Sequence, residues 1–422
     1  MTAETAITEQ DTNRPPPLKA WSAVCAVALG IFALMTTELL PVGLLTPIAA
    51  ELDVSAGTAG LMVTVPGVTA AAAAPTVTAA LGRIDRRTIL AALIGLMALA
   101  NLASALAPTF AVLLAARVAV GAGIGGFWAI AGGLAVRLVP ERHVARATAV
   151  VFGGVSTASL IGVPAGTFAG DLVSWRFAFG CVAALGAAAL VLLLVLVPTL
   201  PAGPPSAFAG MRAAFAGNAG VRLGLAATAL LVTGHFTAYT FVRPLLTGAS
   251  GIEAGQVGML LLGFGAAQLG GNALAGSLAG RNARTALLVI ALVLTAALSA
   301  FSPLGSTPLS GAVLLLLWGL GYGGVSVGLQ TWMIKSAPGA VESATALFVS
   351  AFNASIALGG AVGGLAVDRL SGSGALWCAA GLTAAAALAV ALGRRPDAPD
   401  RSHSGHGPAA PRSDATSPTI SR

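Results

Sequence analysis

The chain has 422 residues, 56% of them hydrophobic and only 9% charged, with a mean hydropathy of +0.89. A water-soluble protein carries about 25% charged residues, so a soluble globular fold is excluded and an all-α polytopic membrane protein is expected. The net charge of +7 does not indicate a nucleic-acid binder, because the basic residues sit in short loops between apolar runs.

The polar start, Met1 to Pro17, has no apolar core followed by a small-residue cleavage site, and predicts a disordered tail rather than a signal peptide. The first apolar run, Trp21 to Ile48, holds one charge, Glu38. At a rise of about 1.5 Å per residue this run can cross a hydrocarbon core of about 30 Å as a helix. A carboxylate inside such a span costs about 2.5–3.5 kcal/mol on insertion scales, which makes Glu38 a functional candidate by default.

Twelve spans are predicted in all, at 20–46, 57–80, 88–107, 110–137, 147–170, 175–197, 223–247, 255–279, 285–302, 310–334, 343–367 and 374–393. Between the sixth and seventh, 199–220 is rich in Pro, Gly and Ala and holds Arg212, predicting a linker between two six-helix bundles, 20–198 and 221–393. The ends, 1–19 and 394–422, are expected to be disordered tails, and His403 and His406 in the second do not make a metal site. Cys25, Cys181 and Cys378 lie far apart in apolar runs and offer neither metal-ligand spacing nor a disulfide framework. Placing both termini in the cytoplasm puts 18 of the 22 Lys and Arg residues on the inside, which sets the expected orientation in a cell (inner or plasma) membrane. Only Arg176 and Arg369 then fall in outer loops, while Arg117 and Arg243 lie within spans 4 and 7.

The halves repeat each other. Gly121, Gly123, Gly125 and Gly126 recur as Gly319, Gly321, Gly323 and Gly324, each 198 residues later. Gly162, Gly166 and Asp171 recur as Gly359, Gly363 and Asp368, at an offset of 197. The loop Gly82-Arg83-Ile84-Asp85-Arg86-Arg87 is echoed by Gly280-Arg281-Asn282-Ala283-Arg284, one residue shorter. Parallel six-helix repeats imply two bundles about an axis along the membrane normal, with a substrate site between them near the midplane.

FALMTTELLPVGLLTPIAAELDVS at span 1, LGRIDRR after span 2, LLAARVAVGAGIGGFW in span 4, GVPAGTFAG in span 5, SWRFAF at span 6 and HFTAYTFVRPLL in span 7 carry a resemblance. Over about residues 20–393 the chain resembles the major facilitator superfamily and its 12-helix drug:proton antiporter branch, among them bacterial exporters of sugars, nucleosides and chloramphenicol-type drugs. The family's loop signature has the form GxxxDxxGRR. Here Thr78, Gly82 and Asp85 stand where the family has Gly, Asp and Gly, so the acid is displaced to Asp85 while Arg83, Arg86 and Arg87 keep the basic, gating character. The span 5 signature is also inexact, with Val163 before Pro164. Its physical content survives, because Gly154, Ala158, Gly162, Gly166 and Gly170 fall every fourth residue and form a small-residue face for close helix approach. Pro164 removes one backbone donor from that helix. The face is either a static packing seam or, as the resemblance implies, one that seals a proton leak.

Arg117 matches the Arg of the family's span 4 motif RxxxG, completed by Gly121, and lies about 13 Å deep. Glu38 and His235 differ by 197 and occupy near-equivalent places in the two repeats. Desolvation favours a neutral acid and a nearby cation the ionised one, so a Glu38–Arg117 contact made and broken as the bundles rock loads and releases a proton. A direct substrate contact or a fixed Glu38–Arg117 pair are the alternatives. His235 is either a proton-sharing group or a neutral core histidine. Arg243, beside Pro244, either snorkels at the outer face or touches substrate. Asn101, Trp128, Tyr239, Gln268, Asn272, Tyr322, Ser326, Gln330 and Asn353 are the candidate substrate-lining residues; several fall at four-residue spacing, hence on one helix face. Such faces line a cavity or tie helices together. A cavity of this kind suits a neutral or weakly cationic organic molecule better than a polyanion.

The expected function is proton-coupled efflux of a small organic molecule (drug, sugar or nucleoside) by alternating access, in a monomer embedded in lipid. The alternatives are a proton-linked importer of a sugar or nucleoside and a membrane sensor or lipid-handling protein. No Gly-rich phosphate loop precedes a lysine and no nucleophile elbow or metal cluster is visible, so no enzyme, no ATP drive and no cofactor beyond the proton gradient is expected.

Overall fold

A backbone in hydrocarbon must satisfy its polar groups within its own segment, which turns each long apolar run into a helix. A computed structural model describes residues 18–80, 84–131, 134–140, 143–200 and 208–393. Among these residues twelve helices are long and apolar enough to cross a membrane. They are α1 (Leu18–Glu51), α2 (Ala56–Ala73), α3 (Arg86–Ala105), α4 (Phe110–Trp128), α5 (Arg146–Leu172), α6 (Trp175–Leu196), α7 (Ala219–Tyr239), α8 (Ala254–Arg281), α9 (Ala283–Leu304), α10 (Pro308–Ser336), α11 (Ser343–Arg369) and α12 (Gly372–Leu392). No strand occurs among the described residues. Residues 1–17 of the expected tail 1–19, the tail 394–422 and Arg83 of the loop motif lie outside them, while Leu18 and Lys19, expected in the tail, begin α1.

Packing reproduces the repeat. In the first half α1 packs on α5 and α6, α2 on α4, and α3 on α4 and α6. In the second half α7 packs on α11 and α12, α8 on α10, and α9 on α10 and α12. Each pair has its counterpart six helices on, which makes the architecture two pseudo-symmetric six-helix bundles. The bundles meet symmetrically too, α2 against α11 and α5 against α8.

The loop signature builds the helix ends. Asp85 caps α3 by accepting from the Thr88 N–H (3.2 Å) and also accepts from the Leu200 N–H (2.6 Å). Its counterpart Asn282 caps α9, accepting from the Thr285 N–H (3.1 Å). Arg87 donates to the Leu194 carbonyl at the end of α6, and Arg284 to those of Val390 and Ala391 at the end of α12. Each guanidinium thus satisfies carbonyls that a helix C-terminus leaves open. These contacts lie at the end of the molecule where both described termini emerge, called here the basic end.

Two elements differ from expectation. Phe208–Gly217, inside the segment predicted as a linker, is a helix that packs on α11. Its FAGMRAAFAG stretch is free of proline and rich in alanine, and Asn218 then caps α7. Within α5, Ala158–Gly162 forms a π turn. Pro164 has no N–H for the Leu160 carbonyl, and the widened turn sits over that gap.

Candidate functional site

The small-residue face of α5 packs against α1 of its own bundle. A Cβ at Gly162 would collide with Thr36, one at Gly166 with Leu40 and one at Gly154 with the Ala28 carbonyl. Gly359 and Gly363 of α11 are pressed in the same way against α7. The spacing predicted a close approach; the structure shows that the helix approached lies within the bundle.

α1 brings Thr36, Thr37 and Glu38 into the interior, all buried. Arg117 of α4 is fully buried beside them. Its guanidinium does not take the Glu38 carboxylate. Nη1 donates to the Thr37 carbonyl (2.9 Å), Nη2 to the Glu38 carbonyl (3.3 Å) and Nε to the Met62 carbonyl on α2 (3.0 Å). Two of these acceptors have a common origin. Thr37 precedes Pro41 by four residues, and Met62 precedes Pro66 by four. Proline lacks the N–H that would close each of those helical bonds, so both carbonyls are orphaned within their own helices. Arg117 supplies both missing donors. Gly121, four residues on, lets Pro66 and Thr69 of α2 approach too closely for any Cβ. The Arg and the Gly of RxxxG therefore meet the same proline turn of α2.

Glu38 is 6% exposed, and its carboxylate has no hydrogen-bond partner and no cation within 4.0 Å among the described residues. Arg117 and, from the other bundle, Tyr322 of α10 lie within electrostatic reach of it. The carboxylate is thus unpaired and lies between the bundles.

Facing it is an aromatic cluster. The His235 ring stacks on Tyr322 (centroids 3.3 Å apart) and on Tyr239 (4.8 Å), with Phe264 and Trp318 around it. Trp318 Nε1 donates to His235 Nδ1 at 3.0 Å. An indole N–H only donates, so Nδ1 is the acceptor and the ring proton sits on Nε2, which is buried without a partner among the described residues. His235 is fully buried, while Tyr322 keeps a partly open face.

The remaining candidates scatter. Asn101 is fully buried, donating to Thr37 Oγ1 (3.0 Å) and the Met97 carbonyl (2.9 Å), so here it ties α3 to α1 instead of lining a cavity. Asn353 is 9% exposed and donates to the Val349 carbonyl of its own helix at 2.9 Å. Trp128 and Gln268 are half-buried; Asn272, Ser326 and Gln330 are exposed. Ser326 and Gln330 lie on the face of α10 opposite Gly324, which packs on α8 and α9, and Gly328, which packs on α9. Asp85, Arg86 and Arg87 are at the basic end, away from this site.

Arg243 corrects an expectation. It neither snorkels nor opens to a cavity: it is 4% exposed, paired with Asp171 of α5 (2.5 Å) and donating to the Gly43 carbonyl of α1 (2.5 Å). Gly43 precedes Pro47 by four, another orphaned carbonyl taken by a guanidinium. Asp368, the repeat partner of Asp171, accepts from Ser55 Oγ (2.7 Å) and the Gly57 N–H (2.9 Å) at the start of α2. Two repeat-related acids therefore latch the bundles together at the far end. Sequence reasoning missed Pro41, Pro47, Pro66 and this latch. The available signal was three prolines, each four residues after a carbonyl in an otherwise regular span.

A double six-helix repeat with a buried, unpaired carboxylate at the seam defines a polytopic membrane transporter. The chain belongs to the Major Facilitator Superfamily, whose family model matches residues 26–348 and 224–420. Transporters, and not enzymes, make up this family. The chain is 35% identical over 373 residues to the purine ribonucleoside efflux pump NepI of Salmonella typhimurium, covering 88% of this chain and 93% of that one. It is 35% identical over 397 residues to the transcription regulatory protein OpdE of Pseudomonas aeruginosa, covering 92% and 97%. Among solved structures it resembles a bacterial homologue of the human lysosomal transporter Spinster in an inward-facing, unoccupied conformation. That match has a TM-score of 0.69 at 14% identity, over 90% of this chain and 96% of that one. The human organic anion transporter MFSD10 matches with a TM-score of 0.62 at 18% identity, over 89% and 100%.

Proposed function

We propose that the protein is a proton-coupled exporter of a small neutral or weakly cationic organic molecule, of nucleoside type, working by alternating access. One observation carries this: Glu38 is buried at the seam with its carboxylate unpaired, the condition in which an acid can take and give up a proton as its surroundings change. The NepI relatives, named as purine ribonucleoside efflux pumps, support export and the substrate type. The aromatic faces around Tyr322 suit a planar base, and little fixed charge lies nearby. The basic end belongs in the cytoplasm of the inner membrane, on the bias of Lys and Arg. The far-end latch then closes the outer side and makes this the inward-facing state. The proton gradient is the energy source, and the monomer is the working unit.

The test is reconstitution of the full chain into liposomes with an imposed pH gradient, following labelled inosine and interior pH together. Inosine accumulated against its own gradient with counter-movement of protons supports the proposal. Inosine moving only down its gradient, with no proton flux, overturns the coupling. A second reading, a membrane sensor, draws on the regulatory name of the Pseudomonas relative. It predicts ligand binding with no movement of ligand in the same liposomes.

A further inference from the structure

We propose that Pro41 and Pro66 are positioning residues for the proton site: they hold Arg117 on the backbone and so keep the Glu38 carboxylate unpaired. The inference rests on the reading of Glu38 as the proton carrier. Arg117 gives Nε and Nη1 to carbonyls that stand open only because residues 41 and 66 have no N–H. Its third donor reaches the Glu38 main-chain carbonyl at 3.3 Å, so the guanidinium is already beside the residue whose side chain it leaves alone. With ordinary residues at 41 and 66, their amides would occupy both carbonyls. The guanidinium, fully buried, would then find the adjacent carboxylate as its remaining acceptor.

The second repeat is an internal control. Where the first has Pro41, Pro66 and Arg117, the second has Ala238, Phe264 and Leu315, at offsets of 197, 198 and 198. The two prolines and the arginine are replaced together, and the Glu38 position holds His235, met by an indole N–H instead. Prolines and guanidinium behave as one device. The titratable groups around Glu38 are Arg117 from α4 and Tyr322 from α10, with His235 and Tyr239 of α7 stacked beside Tyr322; among the described residues, α2, α3, α5 and α6 bring none to this level.

The experiment uses the full-length transporter in liposomes. Arg117→Gln alone is expected to lose stable protein, because it opens both carbonyls. In a Pro41→Ala/Pro66→Ala background the same Arg117→Gln change is expected to be tolerated, recovering monodisperse protein, because the new amides take over. Alanine favours the helix interior, so the double variant folds; Pro41→Ala alone gives partial recovery. With Arg117 intact, the double variant is expected to shift the pH midpoint of transport at least one unit towards acid, a tenfold weaker proton affinity. Equal damage by Arg117→Gln in both backgrounds overturns the proline device. Recovery of stability with an unmoved pH midpoint overturns its link to Glu38. If Glu38→Gln retains proton-driven transport, the function reading fails, while the stability rescue still stands as a separate result.

Discussion

Glu38 of α1 and Arg117 of α4 are interior neighbours that do not pair, and each consequence can be measured. Glu38→Gln keeps the shape and removes the titratable group. It is expected to abolish accumulation driven by a pH gradient while leaving inosine exchange across the membrane intact, checked by counterflow in liposomes. Arg117→Lys keeps the charge but not the fork that spans two helices. Each carbonyl it opens costs about 1–3 kcal/mol, so the melting temperature in detergent should fall by several degrees, more than for the same change at exposed Arg146. At His235 the question is what Trp318 donates to. His235→Gln keeps an acceptor and His235→Phe does not, so the phenylalanine variant should be the less stable of the two by a similar margin.

At the scale of elements, the helices carry their function in what they omit. The glycine face of α5 lets α1 sit against it, and Gly162→Leu would drive a side chain into Thr36. Overpacking of this kind costs about 1–3 kcal/mol or more. Little monodisperse protein is expected from that variant, and Gly359→Leu, which meets Thr233 and Phe236 of α7, should behave alike; size-exclusion profiles check both. The four-residue ladder was legible in the sequence, because spacing alone fixes a face. The partner of that face was not, since periodicity says which side of a helix is small and nothing about the helix that fills it. Asp85 is similar. Its displacement from the family's acid position was visible, whereas its role as cap of α3 and acceptor for Leu200 depends on where the chain returns 115 residues later.

For the whole molecule, composition, span count and the constant offset near 197 made the two-bundle architecture readable, because each rests on local hydrophobicity or on counting. The contacts between bundles could not be read this way: Ser55 meets Asp368 across 313 residues. Those contacts set the balance of conformations. Asp171→Asn with Asp368→Asn removes both carboxylate charges of the far-end latch. A hydrogen bond to a charged group is worth about 1.5–3 kcal/mol, and about 1.4 kcal/mol is a tenfold change in an equilibrium. Spin labels placed on the far ends of α2 and α11 should therefore report a longer-distance population that is minor in the parent protein. An unchanged distance distribution would mean that packing alone holds this end shut.

The latch has one more property, which follows from Arg243 resting on the Gly43 carbonyl four residues before Pro47. Its acceptor is a main-chain oxygen, so no side-chain deletion at position 43 removes it. What does remove it is an addition: an N–H introduced at position 47 competes with Arg243 for the same oxygen. In a comprehensive mutational scan the strength of the outer closure would then register at Pro47, through a backbone group the residue lacks. Any substitution there would count as a gain of a donor, and hence as a mutation that opens the transporter.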